Sequence, residues 1–271
     1  MIHIRACHGL DELDACVNLQ RDTWGYDETE AIPRKTFLLA QKIGGQVIGA
    51  FDSEPSNDLA GNPGLTPHAG PASNLVGFAM SLPGIKSPSP QTSQPLPYLH
   101  SHMLAVRPSR RNRGIGAQLK WEQRREALSR GVRRMEWTFD PLEIKNSFLN
   151  IHRLGAFACE YRVDFYGVSS SRLQGGLPTD RLLAVWELDS QRVTAILQNV
   201  PLAEHLIEER IIIPVAIELW KSDDATRERA LAVQLDVRKR FQQAFSKGLA
   251  VLGFALDRDG NGIFELGFLS R

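Results

Sequence analysis

One stretch, His102–Lys120, limits the architecture more than any other part of the chain. Residues Tyr98–Val106 alternate as a β-strand does, and Gly116–Arg130 reads as a helix ending at Gly131. The joint between them is Arg107-Pro108-Ser109-Arg110-Arg111-Asn112-Arg113-Gly114-Ile115-Gly116. A helix start offers unsatisfied N–H groups and a partial positive charge, which together attract anions. Glycine lets a ligand approach the backbone where a Cβ would intrude. Arginine adds charge-assisted hydrogen bonds to phosphate oxygens. All three components stand here in the order that a diphosphate requires.

The rest of the chain predicts an α/β (α+β) fold with a mixed central β-sheet flanked by helices. Strands are expected at Ile2–Ala6, Phe37–Ile43, Gln46–Phe51, Asn74–Leu82, Arg133–Phe139 and Phe157–Val168. Gly44-Gly45 between two apolar runs reads as a hairpin turn. Leu10–Trp24 carries a helical stripe, and Asn146–Leu154 reads as a short helix stopped by Gly155. Ser53–Ser73 and Pro83–Pro97 are rich in turn formers and read as two long loops. Beyond Pro178 the pattern restarts. Strands are expected at Arg181–Leu188 and within Ile211–Leu219, a charged helix at Ala225–Lys247, and a hairpin over 249–268. This divides the chain into a core, residues 1–168, and an α/β extension, 169–271, packed on it.

Net charge is +1 with 23% charged residues, so nothing chain-wide draws the protein to nucleic acid or an anionic membrane. The Arg107–Arg113 cluster has no interleaved aromatics, which also argues against nucleic acid. No apolar run is long enough to span a bilayer, and the start of the chain has no leader pattern, so the cytoplasm is the expected location. Cys7, Cys16 and Cys159 have no metal spacing and suit a reducing compartment as buried apolar groups. No metal is expected. Asp257–Gly262 resembles the start of a calcium loop, but position twelve is Phe268 where a bidentate Glu is needed, so a hairpin turn is the better reading.

The segment Arg111-Asn112-Arg113-Gly114-Ile115-Gly116, preceded by Val106-Arg107-Pro108, resembles the phosphate loop of the GNAT acyltransferases, Arg/Gln-x-x-Gly-x-Gly/Ala after a strand ending Val-x-Pro. A Walker loop is excluded because no Gly-Lys-Ser/Thr follows, and the glycine spacing does not suit a dinucleotide fold. The resemblance runs from about residue 2 to 168 and is best over 74–167. Trp137–Leu142 and Gly175–Arg181 are similar to a bacterial branch of predicted acetyltransferases, some of which act on amino-acid amino groups, with succinyl-CoA among the acyl donors.

That resemblance implies acetyl-CoA or another acyl-CoA as co-substrate and a small-molecule primary amine as acceptor, and it allows a homodimer. It implies a cofactor site made by the backbones of Leu104, Ala105 and Val106, by Arg111, Asn112, Arg113, Gly114, Ile115, Gly116 and Ala117, and by Asn146, the nearest match to the family's pantetheine asparagine. Eleven residues before Arg111, where one branch of the family carries a glutamate base, stands His100, with His102 two residues on. An imidazole serves as a base near neutral pH without a large shift. The family's acid is a tyrosine in the short helix, but the matching position is Ile151. Tyr161 and Tyr166 are the substitutes. A non-catalytic acyl-CoA-binding module and a protein N-acetyltransferase using the two long loops are the competing readings.

Overall fold

The structure is a computed structural model that describes residues 1–27, 29–53, 74–88, 94–171, 173–202 and 205–269. The expected 53–73 loop lies, after Ser53, outside the described residues. The chain forms two compact units, Met1–Arg133 and Arg134–Arg271. Each is α/β.

In the first unit, strands β1 (Ile2–Ala6), β2 (Gln46–Asp52), β3 (Leu75–Lys86) and β4 (Leu96–Val106) pair in sequence order, all antiparallel. Helices α1 (Gly9–Trp24) and α2 (Arg34–Lys42) cover one face. There Leu13, Cys16, Leu19, Phe37 and Ala40 pack against Phe78, Met80, Met103 and Ala105. The other face carries α3 (Ile115–Ser129), whose Ile115 and Leu119 meet Ile48, Ala50, Val76 and Ala79. Full burial of side chains of this size contributes about 2 kcal/mol each. Cys7 and Cys16 are buried with their Sγ atoms 3.9 Å apart, whereas Cys159 is exposed, contrary to the expectation for it.

Two local expectations are corrected. Residues 34–42 are helical, so Gly44-Gly45 is not a hairpin turn. Gly44 has φ 93° and the Gly45 N–H donates to Ala40 O at 2.7 Å, which closes the end of α2. A short apolar run does not distinguish a strand from a helix, and burial of Phe37 and Ala40, three apart, is what decides here. Both ends of the expected Pro83–Pro97 loop are strand, with Pro83 opposite Leu99 and Ile85 opposite Pro97; residues 89–93 lie outside the described ones. Gly84 is there for packing. A Cβ on it would lie 2.5 Å from the Tyr98 ring, which lies across the strand.

The second unit holds β5 (Arg134–Phe139), β6 (Phe157–Arg162), β7 (Arg181–Glu187), β8 (Glu209–Ile213), β9 (Leu249–Leu256) and β10 (Gly262–Phe268). β7 lies between β5 and β6, β6 touches β9 at Ala158–Val251, and β10 lies between β9 and β8. After β5 come α4 (Ile144–Ser147) and a π-helical turn, Phe148–Arg153, in place of one short α-helix. Helix α5 (Gln191–Leu197) was not legible; its Arg192 donates to the carbonyls of Gly155 and Leu252. Helices α6 (Ile217–Ser222) and α7 (Arg227–Ser246) complete the unit, with Phe241 of α7 against Tyr161 and Phe264. Pro214 ends β8 and allows α6, so only part of Ile211–Leu219 is strand. The Asp257–Gly262 turn spends its carboxylate internally: Asp257 accepts from the N–H groups of Asp259 and Asn261 and from Asn261 Nδ2.

The β6–β7 connection is anchored by Asp180, which is fully buried. Its carboxylate accepts from Tyr161 Oη at 2.7 Å, from Arg238 Nε and Nη2 at 2.8 and 3.0 Å, and from the Asp164 N–H at 3.0 Å. Removing one partner of a buried ionic set strands the others in low dielectric. Asp180→Ala should therefore cost about 3 kcal/mol or more in urea unfolding. A loss below about 1 kcal/mol would show that the set is dispensable.

Candidate active site

In β4, Met103 pairs with Met80, but Ser101 pairs with Ser81, so His102 is one extra residue: a β-bulge. The insertion reverses the faces. Met103 and Ala105 point to the α1–α2 side and Leu104 and Val106 to the α3 side, whereas Ser101, before the bulge, points to α3. His100 thus shares the α1–α2 side with its cross-strand partner Leu82, which packs on that core. The rings of His100 and His102 are 6.2 Å apart, centroid to centroid. His102 keeps access to solvent, yet desolvation by the packed atoms around it lowers its pKa from the ordinary imidazole value.

After Val106 the chain turns through a 3₁₀ turn, Pro108–Arg110, into α3. Asn112 (φ 61°) and Gly114 (φ 78°) both adopt the left-handed conformation, which turns the backbone just ahead of α3. Gly114 is the N-cap and no side chain caps α3. Among the described residues, a Cβ on Gly114 would find only Gln118 Nε2, at 3.9 Å, so its immediate surroundings are uncrowded.

The loop arginines divide into two pairs. Arg110 binds Asp52 at 2.9 Å, and Arg107 donates to Leu75 O at 3.2 Å, so these two tie the loop to β2 and β3. Arg111 and Arg113 are exposed; Arg111 keeps one bond, from Nε to Val106 O at 3.1 Å. An uncapped helix start with an uncrowded glycine and two exposed guanidiniums suits a diphosphate chemically. The structure brings His100, His102, Leu104, Ala105, Val106 and Arg111–Ala117 together in one unit.

The remaining candidates belong to the second unit. Asn146 is exposed and its Oδ1 accepts from Asn150 Nδ2 at 3.2 Å. Ile151 is buried within the π-helical turn. Tyr161 donates to Asp180, and burial raises its pKa. Tyr166 is half-exposed, with Oη 2.7 Å from Thr138 Oγ1. His152 stacks on Phe148, and burial followed by Arg153 and Arg192 lowers its pKa.

Residues 12–146, close to half of the chain, match the sequence profile of the acetyltransferase (GNAT) family. The chain carries a GNAT-family acetyltransferase domain. The matched range includes the strand–loop–helix segment and both strand histidines. Among solved structures, Arabidopsis thaliana NAA60 in complex with acetyl-CoA superposes with a TM-score of 0.51 at 17% identity, over 70% of this chain and all of that one (100%). The ribosomal-protein-S18-alanine N-acetyltransferase of Escherichia coli gives 0.48 at 14%, over 70% and 96%. An N-acetyltransferase of Staphylococcus aureus Mu50 gives 0.47 at 15%, over 70% and 99%. These likenesses concern the fold. No sequence match was found among curated proteins. No helix among the described residues is long and apolar enough to cross a membrane.

Sequence reasoning missed the bulge and a polar set behind it: Ser101, Lys120, Gln123, Gln46 and Ser81, all buried. A signal was present. Lys120 and Gln123 fall on the buried stripe of α3 with Ile115, Leu119 and Ala127, where apolar residues belong.

Proposed function

We propose that the protein is an acyl-CoA-dependent N-acyltransferase that moves an acetyl or succinyl group from CoA to the primary amine of a small molecule such as an amino acid, by direct attack. The uncapped start of α3, behind Asn112 and Gly114 and flanked by exposed Arg111 and Arg113, carries this reading. Those groups would hold the diphosphate of the co-substrate, with the N–H groups of Ile115, Gly116 and Ala117 directed at it. The β4 backbone at Leu104, Ala105 and Val106 would lie along the pantetheine. His100 takes the proton of the attacking amine, and His102 is the reserve base. Tyr161 is the weaker acid candidate, because its hydroxyl already serves Asp180. The acyltransferase core runs to about residue 168 on this reading, and 169–271 is an extension packed on it through the pairing of β6 with β7 and β9.

A thiol-release screen tests the reaction: acetyl-CoA and succinyl-CoA against amino acids of both hands, with CoA release required to depend on the amine. One observation favours a second reading. Ile151 stands buried where the family carries its tyrosine acid, as expected of a domain that binds acyl-CoA without transfer. Tight CoA binding with no turnover on any amine would decide for it.

A further inference from the structure

Lys120 is a buried titratable group to which the proposed chemistry gives no role. It lies in the second turn of α3, roughly 8 Å along the axis from the first residue of the helix. Only 2% of it is exposed, and its Nζ donates to Ser101 Oγ at 2.6 Å. Ser101 Oγ in turn donates to Gln123 Oε1 at 3.1 Å, one turn further along the same helix. Gln123 O accepts from Gln46 Nε2 at 2.8 Å, and Gln46 Oε1 accepts from Ser81 Oγ at 3.0 Å. Ser81 and Ser101 are the last regular cross-strand pair before the bulge. The set therefore grips the β3–β4 ladder at the point where it breaks register, from the helix whose start forms the phosphate loop.

Burial drives the Lys120 amine well below the ordinary lysine range. The amine donates to Ser101 Oγ, so it joins the hydroxyl–amide network as a donor. A methylene side chain of the same length would fill the space and leave Ser101 without its donor.

We propose that Lys120 is a positioning residue: through Ser101 it fixes the β4 bulge, and with it the two strand histidines, to the cofactor-binding helix. Ser101 stands between His100 and His102, so its anchoring sets the backbone from which both imidazoles project. The amine touches neither co-substrate nor acceptor in this role. The inference rests on the proposed transfer chemistry of β4.

The test compares Lys120→Met, Ser101→Ala and the double variant in the full chain. Each single variant should lower kcat by about 10-fold while the KM for acetyl-CoA and the CoA affinity stay within about twofold. The double variant should be no slower than the singles, because both act through one contact. The imidazole Cε1–Hε1 resonances of His100 and His102 should move in Lys120→Met, although the substitution is on another element. Unchanged kcat in both singles, or losses that multiply in the double, overturns the proposal. Ser101→Ala removes one oxygen and guards against loss of folding in Lys120→Met. If the wild-type protein turns over no amine, the functional reading fails alone, and the resonances still decide: imidazoles unmoved in Lys120→Met overturn the positioning role.

Discussion

Gly114→Glu should weaken CoA binding by about 30-fold or more, or about 2 kcal/mol, the scale of a disrupted set of charged hydrogen bonds. Two effects add. Gly114 sits at φ 78°, where a residue with a Cβ costs about 1–2 kcal/mol more than glycine. The new side chain would also occupy the uncrowded space at the helix start and place a negative charge where phosphate oxygens are expected. The effects are separable with Gly131, at the other end of α3. It has φ 79°, and a Cβ on it would meet nothing within 4 Å, so Gly131→Glu carries the backbone strain without the ligand clash. Calorimetry should show CoA affinity nearly unchanged in Gly131→Glu and lost in Gly114→Glu. Equal affinities in the two folded variants would remove the loop from the cofactor site.

His100→Ala should lower turnover by about 10²-fold with CoA affinity nearly unchanged, since general-base catalysis contributes on that scale. A primary amine is mostly protonated near neutral pH, so a group on the protein or a chain of waters must accept its proton before or during attack. Protonation of the base abolishes that capacity, so wild-type turnover should fall on the acid side, and this limb should vanish or move in His100→Ala. The second histidine gives a distinct signature. Desolvation lowers the pKa of His102, so it stays neutral to lower pH than a free imidazole. An acid limb that belonged to His102 would lie below about 6.5, the ordinary imidazole value. The assignment is wrong if His102→Ala abolishes turnover while His100→Ala keeps the wild-type rate and pH profile.

What was legible in the sequence was whatever depends on local chemistry. The passage from β4 through the arginine-rich turn into α3 could be read because alternation, glycine and a helix start announce themselves within about twenty residues. The α7 stripe and the 249–268 hairpin were legible for the same reason, as periodicity and turn residues lie close together in the chain. Misreadings arise where a distant partner decides. Phe37 and Ala40 make α2 a helix because Phe78 and Met80, some forty residues later, offer the surface they bury against. Gly84 reads as a turn residue and is a strand residue because of Tyr98. The extra residue in β4 at His102 reverses the faces of the residues that follow it, and nothing in the local sequence marks it. The roles of Tyr161 and Arg238 depend on Asp180, nineteen and fifty-eight residues away from them.

The division of the loop arginines has a consequence for the valence of what the loop can hold. Counted in sequence, Arg107–Arg113 is a four-cation cluster, the kind of tract that invites a polyanion. In the folded protein Arg107 donates to Leu75 O and Arg110 pairs with Asp52, and the two exposed guanidiniums, of Arg111 and Arg113, both precede the start of α3. On the proposed reading, two exposed cations and one helix start would match a ligand with two neighbouring phosphates. They would offer no succession of sites for a longer polymer of phosphates, so the loop would select its anion by length as well as by charge.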